Sequence, residues 1–281
     1  GQSLVGLPGR SVRATKPSLS GAEAVESYYQ ARFADRWPSL RAALLAPSRQ
    51  VTLTAPILKP YWLDAASLEA ALALPPIGSG AALDLCAAPG GKTLVLASRL
   101  GEGSTLTAIE MSRDRRARLI SVLDQHLDGA LRARVSVTGY DGARWSRYEQ
   151  GAFDRILLDA PCSSERHVLS SPPHLAEWSP ARVKNLAQRQ WALLSGSWLV
   201  LKAGGYLVYS TCALSEVEND GVVERLIKKY PDAESVAPDF SRTEPGYESM
   251  GEPTRYGTHI LPDRTSGAGP IYYALIRKAD N

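Results

Sequence analysis

The sequence predicts a doubly wound α/β fold with a mainly parallel sheet and a small helical extension ahead of it. Three observations carry this expectation. Short apolar runs bounded by turn residues alternate with longer helical patterns from Ala81 onward. A glycine-rich turn, Ala88-Pro89-Gly90-Gly91, joins the first run directly to a helical pattern. Acidic residues stand just past successive runs, where doubly wound sheets bind their ligands.

The first twenty residues carry Gly, Ser, Pro, Arg and Lys without apolar periodicity and read as a tail. Arg10, Arg13 and Lys16 in it suit either contact with phosphate or simple solvation. From Gly21 to about Pro47, Val25, Tyr28, Tyr29, Trp37, Leu40, Leu44 and Leu45 recur at three- and four-residue spacings and predict two short helices. Val51 to Pro60 reads as extended, and Asp64 to Leu74 as a helix stopped by Pro75-Pro76.

Strand Ala81–Leu85 follows, then the glycine turn and a helix through Leu94, Leu96, Ala97 and Leu100. The alternation continues with strand Thr105–Ile109, helix Ser112–His126, strand Val135–Thr138, a short helix near Gly142–Tyr148 and strand Arg155–Leu158. Ser179-Pro180 opens a long helix, since proline at the first helical position lacks only an N–H that has no partner there. Strand Tyr206–Tyr209 comes next, and Ser215 with Glu218 has the spacing of a capping box opening a helix to Tyr230. Thr258–Leu261 and Ile271–Ile276 read as a closing antiparallel hairpin, giving seven strands. The expected divisions are a tail over 1–20, the helical extension over 21–76 and the main domain over 77–281.

Composition sets wide bounds. Of 281 residues, 44% are apolar and 22% charged, which suits a globular domain and excludes wholesale disorder. No apolar run reaches membrane-spanning length, so no membrane partner is expected. The net charge of +3 does not announce a nucleic-acid partner, although a local basic face fits within it. Three cysteines without a CxxC pair or a histidine cluster fit neither a disulfide framework nor a metal site, and a reducing compartment is the simpler expectation. The chain opens on Gly1 instead of Met, so the segment where a targeting signal would be read is expected to have been removed, and localisation is weakly constrained.

The candidate ligand site is the series of residues after the strands. Asp84 precedes the turn Cys86, Ala87, Ala88, Pro89, Gly90, Gly91 and Lys92, where glycines let the backbone approach a ligand and helical N–H groups face it. Glu110 follows the second strand, 26 residues beyond Asp84, a position suited to ribose hydroxyls. Asp141 follows the third and suits an adenine amino group; Asp159 follows the fourth. Each carboxylate has a plainer reading as a helix cap or solvated turn, and Lys92 as a surface lysine. The turn is neither GxGxxG nor a Walker sequence, so hydride and phosphoryl transfer are disfavoured. A nucleoside with a charged amino-acid end remains, which describes S-adenosylmethionine.

CAAPGGKT, LLDAPCSSERH and YSTCALSEVEN, in this order and spacing, resemble the Sun-domain RNA cytosine-5 methyltransferases over roughly residues 60–230. YYQARFADRWPSLRAALL and the terminal YYALIRK resemble more loosely the mitochondrial ribosomal RNA member of that family. The resemblance implies a Rossmann-like class I methyltransferase fold, Cys212 as nucleophile and Cys162 as the residue assisting proton removal and release. DNA cytosine methyltransferases use the Pro-Cys position as nucleophile instead, so the order of the two roles stays open. The chemistry needs a nucleophile because carbon 5 of cytosine is unreactive until a thiolate adds to carbon 6. Asp159 is expected to hydrogen-bond the protonated ring nitrogen.

By the same resemblance Gly90, Gly91 and Lys92 lie against the methionine part, Glu110 and Arg115 near ribose and adenine, and Asp141 with Gly142 beside adenine. Cys86 lacks a polar partner in sequence, and its thiol reads as packing. The implied partner is single-stranded or distorted RNA, ribosomal before transfer RNA, with a ribosome-assembly protein as a further partner. Arg32, Arg36, Arg41, Lys59, Arg166, Arg182, Lys184 and Arg189 are candidates for a basic channel, with Arg166 and His167 on a loop beyond Cys162. A ribosome-assembly factor that holds RNA without catalysis is the reading from another class. The expected compartment is the cytoplasm in a bacterium and the mitochondrial matrix in a eukaryote, the resemblance slightly favouring the mitochondrial one.

Overall fold

The computed structural model describes residues 19–141, 143–144, 150–242 and 244–280. Nearly all of the expected tail, the expected helix near Gly142–Tyr148 and the Gly142 site lie outside the described residues. Helices α1 (Ala22–Phe33) and α2 (Trp37–Leu45) form the extension, joined by one turn of 3-10 helix. The stretch read as extended becomes a hairpin, β1 (Gln50–Leu53) pairing antiparallel with β2 (Tyr61–Asp64). Asp64 then caps α3 (Ala65–Leu72), its carboxylate accepting the Ala66 N–H at 2.8 Å.

The main sheet contains β3 (Ala81–Leu85), β4 (Thr105–Ile109), β5 (Val135–Thr138), β6 (Phe153–Asp159) and β7 (Leu201–Thr211), mutually parallel in the order β5-β4-β3-β6-β7. Between them run α4 (Gly91–Ala97), α5 (Arg113–His126), α6 (Gly129–Arg132), α7 (Glu165–Ser170), α8 (Pro172–Glu177) and α9 (Pro180–Val200). The C-terminal part adds α10 (Asp220–Lys229), β8 (Ala233–Val236), β9 (Glu252–Pro253), β10 (Thr258–Ile260) and β11 (Ile271–Lys278). The hairpin of β10 and β11 is antiparallel as expected, and β11 docks antiparallel on β7. With β8 and β9 the described sheet has nine strands, not seven. The two extra strands are four and two residues long, too short to show a period.

The strands alternate their side chains between two apolar layers. Ala82, Leu106, Leu157 and Val208 pack with α3, α4 and α5 on one face. Leu83, Ile156, Leu158 and Leu207 pack with α9 and α10 on the other. A third cluster joins Val25, Tyr29, Trp37, Leu40 and Leu44 of the extension to Trp178, Val183, Leu214 and Leu261. The extension therefore braces the segments that follow β6 and β7.

Candidate active site

The strand order places the site. β3 lies at the centre, with β4 on one side and β6 on the other, so the connections leaving β3 and β6 diverge and open a crevice at the carboxyl edge. Register sharpens this: Leu85 pairs with both Ile109 and Leu158, and Asp159 with Ser210. Residues that follow four different strands thus converge. A cavity of about 630 Å³ opens there, lined among others by Glu110, Asp141, Asp159, Cys162 and Cys212. A smaller one of about 200 Å³ lies over the glycine turn and shares Cys86, Ala88, Lys92 and Asp159 with it.

On the turn, Gly90 has φ of +120°, which only glycine takes without strain, and it leads into α4. The Ala87 N–H donates to the Ile109 carbonyl at 2.9 Å and ties the turn to β4. Asp84 is buried; its Oδ2 accepts from Thr93 at 2.6 Å, while Oδ1 has no partner. Burial, above all, pushes its pKa up to about 7. Glu110 is likewise buried. Its Oε1 accepts the Ser112 N–H at 3.0 Å, its Oε2 has no hydrogen-bond partner, and the Arg115 guanidinium stands 3.6 Å away from that oxygen.

Arg115 donates to the Ala88 carbonyl at 3.1 Å, which orients it along the cavity wall. Asp141 lines the same cavity with one oxygen taken by the Ala143 N–H. Two buried acceptor oxygens without partners, one near the glycine turn and one 26 residues later in the chain, fit a ligand with a cationic amine and vicinal hydroxyls.

Cys86, Cys162 and Cys212 are all free thiols with different surroundings. Burial first, then the carboxylates of Asp159, Glu110 and Asp84, push the Cys86 thiol up to about 12, so it stays protonated and packs. Cys162 and Cys212, fifty residues apart, meet because β6 and β7 are adjacent and parallel. The Cys212 N–H donates to Cys162 Sγ at 3.3 Å, and the Ser164 hydroxyl lies 3.5 Å from Cys162 Sγ and 3.4 Å from Cys212 Sγ. A hydrogen bond with the Cys212 side chain, followed by burial, raises the Cys162 thiol well above its ordinary range. Lys92 is no surface lysine: it is mostly buried and donates to Asp159 Oδ2 at 2.9 Å. Burial is the largest single influence and opposes its charge, but Asp159, Cys212 and Asp84 together outweigh it and its pKa is raised.

Two buried glutamates hold the cysteine loops in place. Glu218 accepts from the Ser163 N–H at 2.9 Å, the Ser163 hydroxyl and Gln190 Nε2 at 2.9 Å. It therefore ties the loop after β7 to the loop after β6. This corrects the capping-box expectation: α10 starts at Asp220, and Ser215 turns to Tyr28 and the Val217 N–H. Glu165 accepts from the Tyr29 hydroxyl and the Leu214 N–H. Thr211 and Asn219 close the second loop through a 2.6 Å bond. Sequence reasoning missed Ser164 and Glu165 and took Glu218 for a helix cap; the glutamate of LLDAPCSSERH is the one signal that could have pointed to Glu165.

The basic candidates divide. Arg36 is tied to Asp263 and Glu252, Arg41 to Glu26, Arg32 to Glu216, and Lys59 hydrogen-bonds Gln125. Arg166 lies on α7, not on a loop, and its guanidinium donates to the carbonyls of Ala43 and Gly267, a fastening of the extension and of the segment before β11. His167 shares that helix and lines a cavity of about 480 Å³ on the outer side of Cys212. Arg182, Lys184 and Arg189 are exposed on α9, and Arg189 also lines the central cavity.

Fold and site together define the class: a Rossmann-like, S-adenosylmethionine-dependent class I methyltransferase. The chain matches the family model described as 16S rRNA methyltransferase RsmB/F over residues 71–277 and belongs to that family. Among curated relatives, the 5-cytosine rRNA methyltransferase NSUN4 of Bos taurus is 35% identical over 224 residues, 76% of this chain and 58% of that protein. The Ribosomal RNA small subunit methyltransferase F of Shewanella piezotolerans is 39% identical over 207 residues, 71% of this chain and 40% of that protein. The chain thus spans about 60% or less of the length of these relatives. NSun6 from Pyrococcus horikoshii, solved with SFG, superposes with a TM-score of 0.65 at 26% identity, covering 79% of this chain and 54% of that one.

Proposed function

We propose that this protein transfers a methyl group from S-adenosylmethionine to carbon 5 of a cytosine in ribosomal RNA. The observation that carries the reading is the meeting of two thiols, each on its own loop, in the cavity that also holds the Lys92–Asp159 pair. The ribosomal choice is supported by the family description and by the names of the bovine and Shewanella relatives. A zebrafish relative 34% identical over 228 residues is named a mitochondrial tRNA (cytosine(34)-C(5))-methyltransferase, so transfer RNA is the second substrate to assay. The same name supports a mitochondrial setting if the source is eukaryotic. We read residues 21–76 as an accessory segment of a 77–281 catalytic unit.

When bound, S-adenosylmethionine supplies an electrophilic methyl. Gly90 and Gly91 give it close backbone approach, Asp84 Oδ1 takes its amine, and Glu110 Oε2 takes a ribose hydroxyl beside Arg115 and Asp141. Cys212 adds as a thiolate to carbon 6, which makes carbon 5 nucleophilic. Asp159, oriented by Lys92, keeps one oxygen for the protonated ring nitrogen and stabilises the charge that attack develops. Cys162, once its own thiol proton has passed to solvent, takes the proton from methylated carbon 5 as a thiolate, and expulsion of Cys212 restores the aromatic ring. A thiol held protonated by its surroundings is a strong base once ionised, which suits Cys162 to that step.

The test is bisulfite sequencing of RNA from cells lacking the gene, complemented with wild type, Cys212→Ala or Cys162→Ala. A methylated cytosine restored by wild type alone is expected, with Cys162→Ala trapped on RNA and Cys212→Ala not. Trapping by Cys212→Ala alone would exchange the two roles. Equal rescue of growth by all three would favour the RNA-holding reading.

A further inference from the structure

We propose that Ser164 is a further catalytic residue, its hydroxyl spanning the two sulfurs and donating to Cys212 so that the thiolate which attacks carbon 6 is stabilised. The inference rests on the cytosine-5 reading above, since it concerns the nucleophile of that reaction. Ser164 Oγ stands 3.5 Å from Cys162 Sγ and 3.4 Å from Cys212 Sγ, within sulfur hydrogen-bond reach of both. A hydroxyl can donate once and accept at the same time, so it can take the S–H of Cys162 while giving its own proton to Cys212.

One acceptor competes. The Cys162 carbonyl lies 3.2 Å from the same hydroxyl. With Cys212 ionised, the bond to a charged sulfur is the stronger of the two, and the hydroxyl turns to it. Cys162 Sγ accepts the Cys212 N–H through a lone pair, which leaves its own proton for the Ser164 hydroxyl or for Cys212 Sγ. The backbone points the same way: Ser164 sits at φ 56°, ψ 55°, a left-handed conformation that glycine takes without strain. The side chain is present in spite of that cost.

The surrounding charges agree with the assignment. The Lys92 ammonium on α4 acts on Cys212, and Asp159 at the end of β6 is paired to that ammonium. Glu165 on α7 is the negative neighbour that favours the protonated Cys162 thiol, while the Ser164 hydroxyl lowers its pKa where it donates to that sulfur; Tyr209 on β7, itself held neutral by burial, lies beside Cys162. Arg189 of α9 lines the inner cavity, and Asp64, Arg166 and His167 line the outer one. The positive charge next to the pair is on the Cys212 side and the buried acid on the Cys162 side.

The experiment is the pH dependence of iodoacetamide alkylation, with peptide mass spectrometry separating Cys212 from Cys162 and Cys86, in wild type, Ser164→Gly and Ser164→Ala. Glycine removes the hydroxyl while accepting the backbone conformation, so the Ser164→Gly protein keeps its fold and decides the case alone if the alanine variant does not fold. The Cys212 midpoint is expected to rise by about one pH unit, an approximately tenfold loss of alkylation rate at neutral pH. An unmoved Cys212 midpoint in Ser164→Gly overturns the proposal. Methyl transfer to RNA is measured in parallel. A wild type that does not methylate but whose Cys212 midpoint moves on substitution keeps the thiol assignment and loses the cytosine-5 reading; a methylating wild type with an unmoved midpoint does the reverse.

Discussion

Replacing Glu218 by glutamine tests whether a protonated carboxyl group holds the two cysteine loops together. Burial, then the negative charge of Glu165, pushes the Glu218 pKa up to about 7, against roughly 4.3 in an unfolded chain. Because the folded value is the higher one, the stability this group contributes is fully present below about pH 4.3 and is lost as pH rises through about 7. At about 1.4 kcal/mol per pH unit the full span is about 4 kcal/mol, of which about 2 kcal/mol falls between pH 5.5 and 8. A glutamine is neutral throughout. It retains an acceptor for the Ser163 N–H but sets an amide N–H₂ near a second donor, at a cost of about 1 kcal/mol.

Glu218→Gln is therefore expected to be less stable than wild type at pH 5.5, and that gap to close or invert by pH 8. At roughly 2 °C per kcal/mol for a chain of this size, the difference in Tm moves by about 4 °C across the range. Scanning calorimetry of both proteins at matched pH values measures it. A difference in Tm that stays constant from pH 5.5 to 8 would refute a protonated Glu218.

Two other buried acids make comparable predictions. Asp84, pushed up to about 7 chiefly by burial, must ionise to receive a cationic amine, so the Kd for S-adenosylmethionine is expected to weaken up to about tenfold per unit as pH falls below 7. Calorimetric titration of Asp84→Asn should show that slope abolished, and an unchanged slope would remove Asp84 from the amine site. Glu69 accepts from the hydroxyls of Tyr247, Ser249 and Tyr273 and from the Met250 N–H, at 2.9, 2.6, 2.7 and 3.0 Å. Glu69→Leu strands these donors in the core and should destabilise the protein by about 3–5 kcal/mol in denaturant melts.

Much of the sheet was legible in the chain. Ala81–Leu85, Thr105–Ile109 and Val135–Thr138 stand where they were expected, because a central parallel strand is covered on both faces and becomes a short apolar run between punctuating turns. β7 was read only as Tyr206–Tyr209, yet it begins at Leu201: Lys202, Gly204 and Gly205 interrupt the apolar run, and α9 passes into the strand without a connecting loop. The Ser215–Glu218 spacing has the form of a cap, but nothing local tells a glutamate whether to reach its own helix or a loop fifty-five residues away. The same limit applies to Arg36 and Arg166, whose charge suggested RNA and whose guanidiniums instead fasten distant segments of the chain.

By itself the sequence determined the alternating α/β pattern, the glycine turn and the order of the acidic residues behind the strands, and its resemblance to a known family singled out two of the three cysteines. The first three are properties of local periodicity and of short motifs, and local spacing carries them. The tertiary structure decided that Cys162 and Cys212 share a hydroxyl, that Lys92 belongs to Asp159, and that Glu165 and Glu218 are buried braces. Those facts depend on which strands lie side by side and in what register, and pairing between segments dozens of residues apart leaves no mark on the spacing within either one.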